Sequence, residues 1–253
     1  NACVLVFVRV EAFAARRRCH ITCQSTQTHN SKRWLRHKSF GLVVSRVRQL
    51  PMTLDRAKSL NTSEAIAARR QALDLAHMQP LVAFVARLRA SAPAGVPDFD
   101  PMDGGVNAEC LFLLEAPGSK AIGSGFVSRN NPDETARNFF EVNVEAGLHR
   151  SRTVMWNAIP WYIGDEHRIR AATGRDLGAA RQHLAELLEL LPRLRIVVLV
   201  GRKAQRHGHA VAMLAPSVTV LTCPHPSPLS FNGRPGRRAE VLACLAQVVS
   251  KLD

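Results

Sequence analysis

Three side chains that could take part in catalysis each lie at the end of an apolar, strand-like run of the sequence. Glu115 ends the run CLFLLE, Asn157 ends RTVMWN, and His225 lies three residues after the run VTVLT. A carboxylate can serve as a base, an amide can both donate and accept hydrogen bonds, and an imidazole can donate one. Because the carboxyl ends of parallel strands meet at one rim of a sheet, the sequence predicts that these groups share a site.

The segment that carries His225 is rich in proline. Pro224, Pro226 and Pro228 alternate with His225 and Ser227. Proline fixes its own φ and restricts the residue before it, so this loop is stiff. A stiff loop favours a binding or catalytic site, because its ordering entropy is lost on folding and not on binding. The alternative is a surface histidine in an ordinary strand-to-helix connection.

The apolar runs alternate with helical patterns along the chain. Strand-like runs cover 110–115, 152–157, 194–200 and 218–222, and amphipathic helical patterns lie near 133–147, 178–191, 203–214 and 236–252. Continuous apolar strands separated by helices are typical of a parallel sheet that is covered on both faces. We therefore predict an α/β fold, a three-layer α/β/α arrangement with a central, mainly parallel four-stranded sheet.

Composition separates the first 51 residues from the rest. Residues 1–51 contain ten Lys or Arg and one acid, which gives them +9 of the formal net charge of +14. We expect this basic extension to be disordered or foreign to the natural product, and residues 52–253 to form one domain. Within that domain we predict a helical lead-in over 62–91, a linker over 92–107 and an α/β core over 108–252.

The net charge and the absence of several motifs narrow the range of functions that this sequence can have. A basic protein favours a polyanionic partner, usually nucleic acid. No apolar run approaches the roughly 20 residues that span a bilayer, so we expect no membrane association. We expect a monomer of bacterial origin that is cytoplasmic and associated with the nucleoid. The sequence contains no CxxC pair, no GxSxG element and no GK[ST] phosphate loop. We predict no metal, no cofactor, and buried reduced thiols at Cys110, Cys223 and Cys244.

Two short motifs resemble those of a known family. Glu115-Ala116-Pro117-Gly118 resembles the GEAPG motif of family 4 uracil-DNA glycosylases, and 225–230 reads HPSPLS, as in the corresponding loop of the uracil-DNA glycosylase superfamily. Phe126 lies in a segment similar to the one that carries the family's uracil-stacking aromatic, and Asn157 occupies the place of its uracil-reading asparagine. The order and spacing agree over residues 108–252.

The resemblance implies hydrolysis of the bond between uracil and deoxyribose in DNA, which initiates base-excision repair. It implies that Glu115 and His225 are catalytic and that the base is flipped out of the duplex and bound by a second set of residues. Those substrate-binding residues are Ala116, Pro117, Gly118, Phe126 and Asn157. The implied DNA contacts are Ser119, Lys120, Ser227, Leu229 and Ser230. Further basic residues that could attract phosphates are Arg129, Arg150, Arg152, Arg234, Arg237 and Arg238.

The sequence also departs from the family 4 pattern. Leu114 stands where that motif has its first glycine, and the cysteines that would hold an iron–sulfur cluster are missing. Ala116 stands where family 1 enzymes carry the aspartate that positions water. A DNA-binding protein that recognises uracil or lesions without turnover is one alternative function. An unrelated α/β phosphohydrolase or nucleotide-binding protein is another.

Overall fold

The structure, a computed structural model, describes residues 55–164 and 170–253. The predicted basic extension over residues 1–51 lies outside these residues. The strands are β1 (Asp98–Phe99), β2 (Cys110–Leu114), β3 (Phe126–Val127), β4 (Thr153–Asn157), β5 (Ile196–Val200) and β6 (Thr219–Cys223). The helices are α1 (Ser63–Gln71), α2 (Gln79–Ser91), α3 (Ser119–Ser124), α4 (Glu134–Glu145), α5 (Gly174–Glu189), α6 (Gly201–Ala204), α7 (Gly208–Leu214), α8 (Pro228–Gly233) and α9 (Arg237–Leu252).

Four strands form an all-parallel sheet in the order β4-β2-β5-β6. Every residue of β4 and β5 is buried, as expected for strands with helices on both faces. The helices fall into two packed groups, α2 with α5 and α7, and α4 with α8 and α9. The predicted α/β fold with a parallel four-stranded sheet between helical layers is confirmed.

The strand order places a topological switch at β2. The chain passes from β2 to β4 on one side and then to β5 on the other side of β2. In an open parallel sheet, the crevice for a ligand lies at such a switch, outside the carboxyl ends of the strands. Glu115 follows β2 directly and therefore lies at the mouth of this crevice.

Local sequence signals explain where the main helices begin. Thr62 caps α1 by accepting a hydrogen bond from the Ala65 backbone N–H at 3.2 Å, and Asp133 caps α4 in the same way through Ala136 at 2.9 Å. Pro80 lies in the first turn of α2, where its missing N–H costs nothing. The helical lead-in predicted over 62–91 therefore contains two α-helices, and this proline marks the start of the second.

The segment predicted as a linker, 92–107, is part of the folded core. It contains β1, which pairs in parallel with β3, and Phe99 is 1% exposed. Asp100 is also buried, and its carboxylate pairs with Arg69 and with Arg150. Pro and Gly residues made this segment resemble a loop, but ion pairs with distant residues hold it in the interior.

The same ionic network corrects the prediction for two of the basic residues. Arg150 pairs with Asp55, Asp100 and Asp103, and Arg129 donates to the Thr153 hydroxyl at 2.7 Å. Both arginines are buried, so neither is available to a phosphate. Burial of a charge requires a partner of opposite sign, and here the partners are remote in sequence.

Candidate active site

The three side chains at the strand ends line one cavity of about 680 Å³. Glu115 follows β2, Asn157 ends β4, and His225 lies two residues after the end of β6. The predicted meeting of a carboxylate, an amide and an imidazole at this rim therefore agrees with the geometry. Apolar walls complete the cavity, formed by Leu114, Ala116, Pro117, Val127, Phe139, Met155 and Val200.

Backbone hydrogen bonds fix Glu115 relative to the end of β4. The Ile159 N–H donates to the Glu115 carbonyl at 2.9 Å, and the Ala158 N–H donates to Leu114 at 2.8 Å. The two Glu115 carboxylate oxygens differ in environment. Oε2 lies 3.0 Å from the Lys203 ammonium, whereas Oε1 is buried and accepts no hydrogen bond from any described residue.

His225 is held by contacts on its loop and on the neighbouring strand end. The Asn138 side-chain amide donates to the Pro226 carbonyl at 2.9 Å, which anchors the loop to α4. On the other side, Gly201 approaches the ring so closely that a Cβ there would lie 3.1 Å from the His225 Cβ. Burial lowers the pKa of His225 below its ordinary value, against the opposing charges of Glu115 and Asp133, so the neutral imidazole is favoured at pH 7.

Asn157 presents an amide that is free to bind a ligand. The residue is 4% exposed and lines the cavity, and its side chain makes no hydrogen bond with another described residue. Its backbone is fixed in the register of β4, opposite Leu114. A buried amide of this kind needs polar partners, and a ligand in the cavity would supply them.

Phe126 does not reach the cavity, which corrects the prediction that it stacks on the substrate. Its side chain is 1% exposed and packs in a separate apolar cluster with Leu60 and Ala65. Successive residues of a strand point in opposite directions, so Val127 faces the cavity and Phe126 faces away from it. The aromatic ring in the cavity wall is Phe139, which forms an edge contact with Phe112 at 4.9 Å.

The predicted DNA-contact residues divide between two places. Ser119, Lys120, Ser227 and Leu229 line the active-site cavity, and Leu229 is 85% exposed. Ser230 does not line it and lies in a neighbouring cavity. Ser227 also caps α8 through its hydroxyl, which accepts a hydrogen bond from the Ser230 N–H at 3.3 Å.

Several residues of the cavity were not predicted. Lys203, in helix α6 after β5, lies beside Glu115. Arg170 also lines the cavity and forms an ion pair with Asp176. Asn131 is buried with its amide already bonded to Ser124 and to the Phe126 carbonyl, so it shapes the wall. No sequence motif marked these positions.

Residues 55–164 and 170–253 contain no group of three or more His, Cys, Asp or Glu side chains that could hold a metal ion. Cys110, Cys223 and Cys244 are buried free thiols, as predicted. No helix in this part of the chain is long and apolar enough to cross a membrane.

Comparison with known proteins identifies the family. A sequence model of the Uracil DNA glycosylase superfamily matches residues 101–248. The chain belongs to this superfamily. A solution NMR structure of a candidate uracil DNA glycosylase from Methanosarcina acetivorans is similar at a TM-score of 0.42 and 17% identity, over 57% of this chain and 92% of that one. No curated protein matches the sequence.

Membership in the superfamily indicates the general function of the chain. The superfamily comprises DNA glycosylases, so the chain has a DNA glycosylase-type function and DNA is its substrate. The matched range contains Glu115, Asn157 and His225 together with the whole four-stranded sheet.

Proposed function

We propose that the protein is a monofunctional uracil-DNA glycosylase that hydrolyses the N-glycosidic bond of a uracil flipped into the active-site cavity, initiating base-excision repair. The convergence of Glu115, Asn157 and His225 in one cavity of about 680 Å³ is the observation that supports this best. A cavity of this size is in the range that encloses a small ligand. The reaction breaks the C1′–N1 bond and adds water to C1′.

Asn157 is the residue that distinguishes uracil from cytosine. Its amide can accept a hydrogen bond from uracil N3–H and donate one to O4. Cytosine carries an acceptor at N3 and a donor at the 4-position, so it opposes both interactions. Phe139 supplies the aromatic surface in the cavity wall, in place of Phe126.

His225 stabilises the leaving base. As the bond breaks, negative charge develops on uracil, and a neutral imidazole N–H can donate to O2. The donor is preorganised, because prolines and the Asn138–Pro226 hydrogen bond fix its loop. Preorganised donors of this type typically contribute about 10²–10³ in rate.

Glu115 acts on the sugar side of the bond. Its charge stabilises the cationic character that develops at C1′. Its buried Oε1 accepts no hydrogen bond from a described residue, so it can accept one from a water molecule. Lys203 holds Oε2 at 3.0 Å and so leaves Oε1 as the free acceptor. This arrangement supplies a water-orienting group although Ala116 replaces the aspartate of family 1.

DNA binding follows from the residues at the mouth of the cavity. Leu229 is exposed and can enter the stack where the base has left, which offsets a few kcal/mol of unstacking. Ser119, Lys120 and Ser227 lie at the same mouth and can bind the adjacent phosphates. Ser230, outside this cavity, can contribute only from the neighbouring one.

The test uses a labelled oligonucleotide with one uracil, in single- and double-stranded form, with chelator present. Hot alkali then cuts the strand wherever a base has been removed. We expect cleavage at uracil, a loss of about 10²-fold or more in kcat for Glu115→Gln and His225→Ala, and no change for Glu189→Gln and His209→Ala, two exposed residues outside the cavity. Specific binding without cleavage would instead support the non-catalytic alternative.

The Asn157→Asp variant tests whether the Asn157 side chain recognises uracil. The change replaces the donor half of the amide by an acceptor, so uracil O4 loses its partner and faces a carboxylate. We expect kcat/KM for uracil to fall by about 10²-fold or more, because the lost bond leaves buried polar groups unpaired. Unchanged cleavage would show that Asn157 has a structural role only.

A further inference from the structure

A second cavity, of about 650 Å³, adjoins the active-site cavity at the His225 loop. The two cavities share Gly201, Arg202, His225, Ser227 and Leu229, which together form the dividing ridge. We name the second cavity the basic groove, after the side chains that line it. Its remaining walls come from the end of β6, from α8 and from the first turn of α9.

The basic groove carries an excess of positive charge. Arg202, Arg234 and Arg237 line it, and Glu240 is its one acidic side chain among the described residues. Glu240 accepts from Arg237 at 2.8 Å and lies 4.0 Å from Arg234. Arg202 has no ion-pair partner within residues 55–164 and 170–253, so the groove has a surplus of two positive charges.

This charge pattern suits the backbone of a nucleic acid. Guanidinium groups bind phosphates through paired hydrogen bonds, and most protein–DNA hydrogen bonds go to phosphate and sugar. Arg202 and Arg234 are exposed, so neither must give up a buried partner to bind a phosphate. Among the described residues that line the groove there is no Phe, Tyr or Trp side chain on which a base could stack.

The position of Leu229 relates the two cavities to the two strands of a duplex. Leu229 is 85% exposed and stands on the dividing ridge. When it fills the space of a base that has moved into the active site, the everted nucleotide lies on one side of the ridge. The strand that was paired with this nucleotide then lies on the other side, where the basic groove is.

We propose that the basic groove binds backbone phosphates of the strand opposite the uracil, so that double-stranded DNA is bound across both cavities. This inference rests on the proposed function, because it takes the active-site cavity as the place of the everted base. Single-stranded DNA occupies the active site alone. The groove therefore adds affinity for duplex DNA without regard to sequence.

The experiment compares the full chain with the variant Arg234→Gln/Arg237→Gln, because these two arginines line the basic groove and not the active-site cavity. The control variant, Arg175→Gln/Arg181→Gln, removes the same charge from the exposed face of α5, outside both cavities. Dissociation constants for uracil-free duplex and single-stranded oligonucleotides are measured against salt concentration. The value of kcat/KM is measured on the uracil-containing forms of both.

We expect the groove variant to bind duplex DNA with a slope of log K against log salt that is reduced by about 2, since each phosphate contact contributes about 0.9. Its kcat/KM on duplex uracil should fall about 10-fold, through KM. The slope and kcat/KM for the single strand should equal those of the unaltered protein. The control variant should keep the duplex preference.

Each other result overturns a defined part of the argument. Equal losses on single- and double-stranded DNA would place the uracil strand itself in the groove, and equal losses in the control would show only a net-charge effect. An unchanged duplex slope in a protein that still cleaves uracil would refute the groove alone. A full chain that neither binds DNA nor cleaves uracil would refute the proposed function instead.

Discussion

At the scale of single residues, the site depends on a glycine as much as on its polar groups. Gly201 has a φ of +84°, a left-handed conformation that side chains disfavour, and it lies against His225. A Cβ at this position would be 3.1 Å from the His225 Cβ and 3.2 Å from Cδ2. Since the ring is also held by its proline loop, it could make room only by moving away from its position in the cavity.

The Gly201→Ala variant should therefore lose catalysis with little loss of DNA binding. Contacts this short require His225 to shift by a few tenths of an ångström. Since a displacement of about 1 Å in a catalytic group can cost about 10²-fold in rate, we expect a loss of roughly 3- to 10-fold in kcat with KM nearly unchanged. Gly147→Ala is the matched control, because Gly147 also has a positive φ, +68°, but no atom within 4 Å of its would-be Cβ. Both variants should lose about 1–2 kcal/mol of stability; an equal loss of kcat in both would refute the positioning role.

The protonation of His225 leads to a prediction about pH. Burial lowers the pKa of His225 below the ordinary 6.5, Lys203 lowers it further, and Glu115 and Asp133 oppose the shift. The neutral form therefore persists to lower pH than in a free histidine. Activity that needs the neutral donor is retained at pH 6.5 and is lost only as the pH falls further.

Single-turnover rates on uracil DNA between pH 5 and pH 9 would measure this. We expect a plateau from pH 8 down to about 6.5 and a decline below it. The His225→Gln variant keeps an N–H donor that does not titrate, so its slower rate should lack that decline. An inflection above 6.5 in the unaltered protein would contradict the assignment of a neutral imidazole.

At the scale of elements, the strand ends were predictable and the two-residue strands were not. The runs CLFLL, TVMWN and IVVLV are long and apolar enough to show buried parallel strands, and the rim rule then brings Glu115, Asn157 and His225 together. Strand β3 has only two residues, so its sequence shows no alternation. The direction of Phe126 therefore could not be predicted, and it depends on the pairing of β3 with β1.

The phenylalanines allow the direction of β3 to be tested. If Phe139 forms the aromatic wall of the site, Phe139→Leu should raise KM for uracil DNA about 5- to 150-fold, since stacking contributes about 1–3 kcal/mol per base. Phe126→Leu should lower the free energy of unfolding by about 1–2 kcal/mol and leave KM unchanged. Urea denaturation with KM measurement separates the two effects; a raised KM for Phe126→Leu alone would restore the original assignment.

The buried arginines show a second limit of prediction at this scale. Arg129 and Arg150 stand in polar, loop-like sequence, and isolated arginines there are usually exposed. Their burial depends on Asp100 and Asp103, which lie in a segment rich in Pro and Gly that resembles a linker. Charge pairing across tens of residues leaves no local pattern, so sequence periodicity does not reveal it.

At the scale of the whole molecule, most of the net positive charge lies in a different part of the chain from the residues of the active-site cavity. Every described residue that lines the active-site cavity lies between Leu114 and Leu229. The first 51 residues, in contrast, carry +9 of the net charge of +14. A positive field acts on any DNA, independent of the base in the cavity, and it acts more strongly at low salt.

Removing residues 1–51 should therefore change binding and leave the chemistry intact. At saturating uracil DNA we expect the shortened protein to keep the kcat of the full chain, because Glu115, Asn157 and His225 are all retained. Its KM should be raised at 50 mM salt and approach the full-chain value as salt increases, since lost phosphate contacts matter less when counterions compete. Steady-state kinetics at several salt concentrations would measure both. Circular dichroism would show that the shortened protein keeps its fold. A lower kcat at saturation would then mean that residues 1–51 contribute to the active site, and their charge alone would not account for their effect.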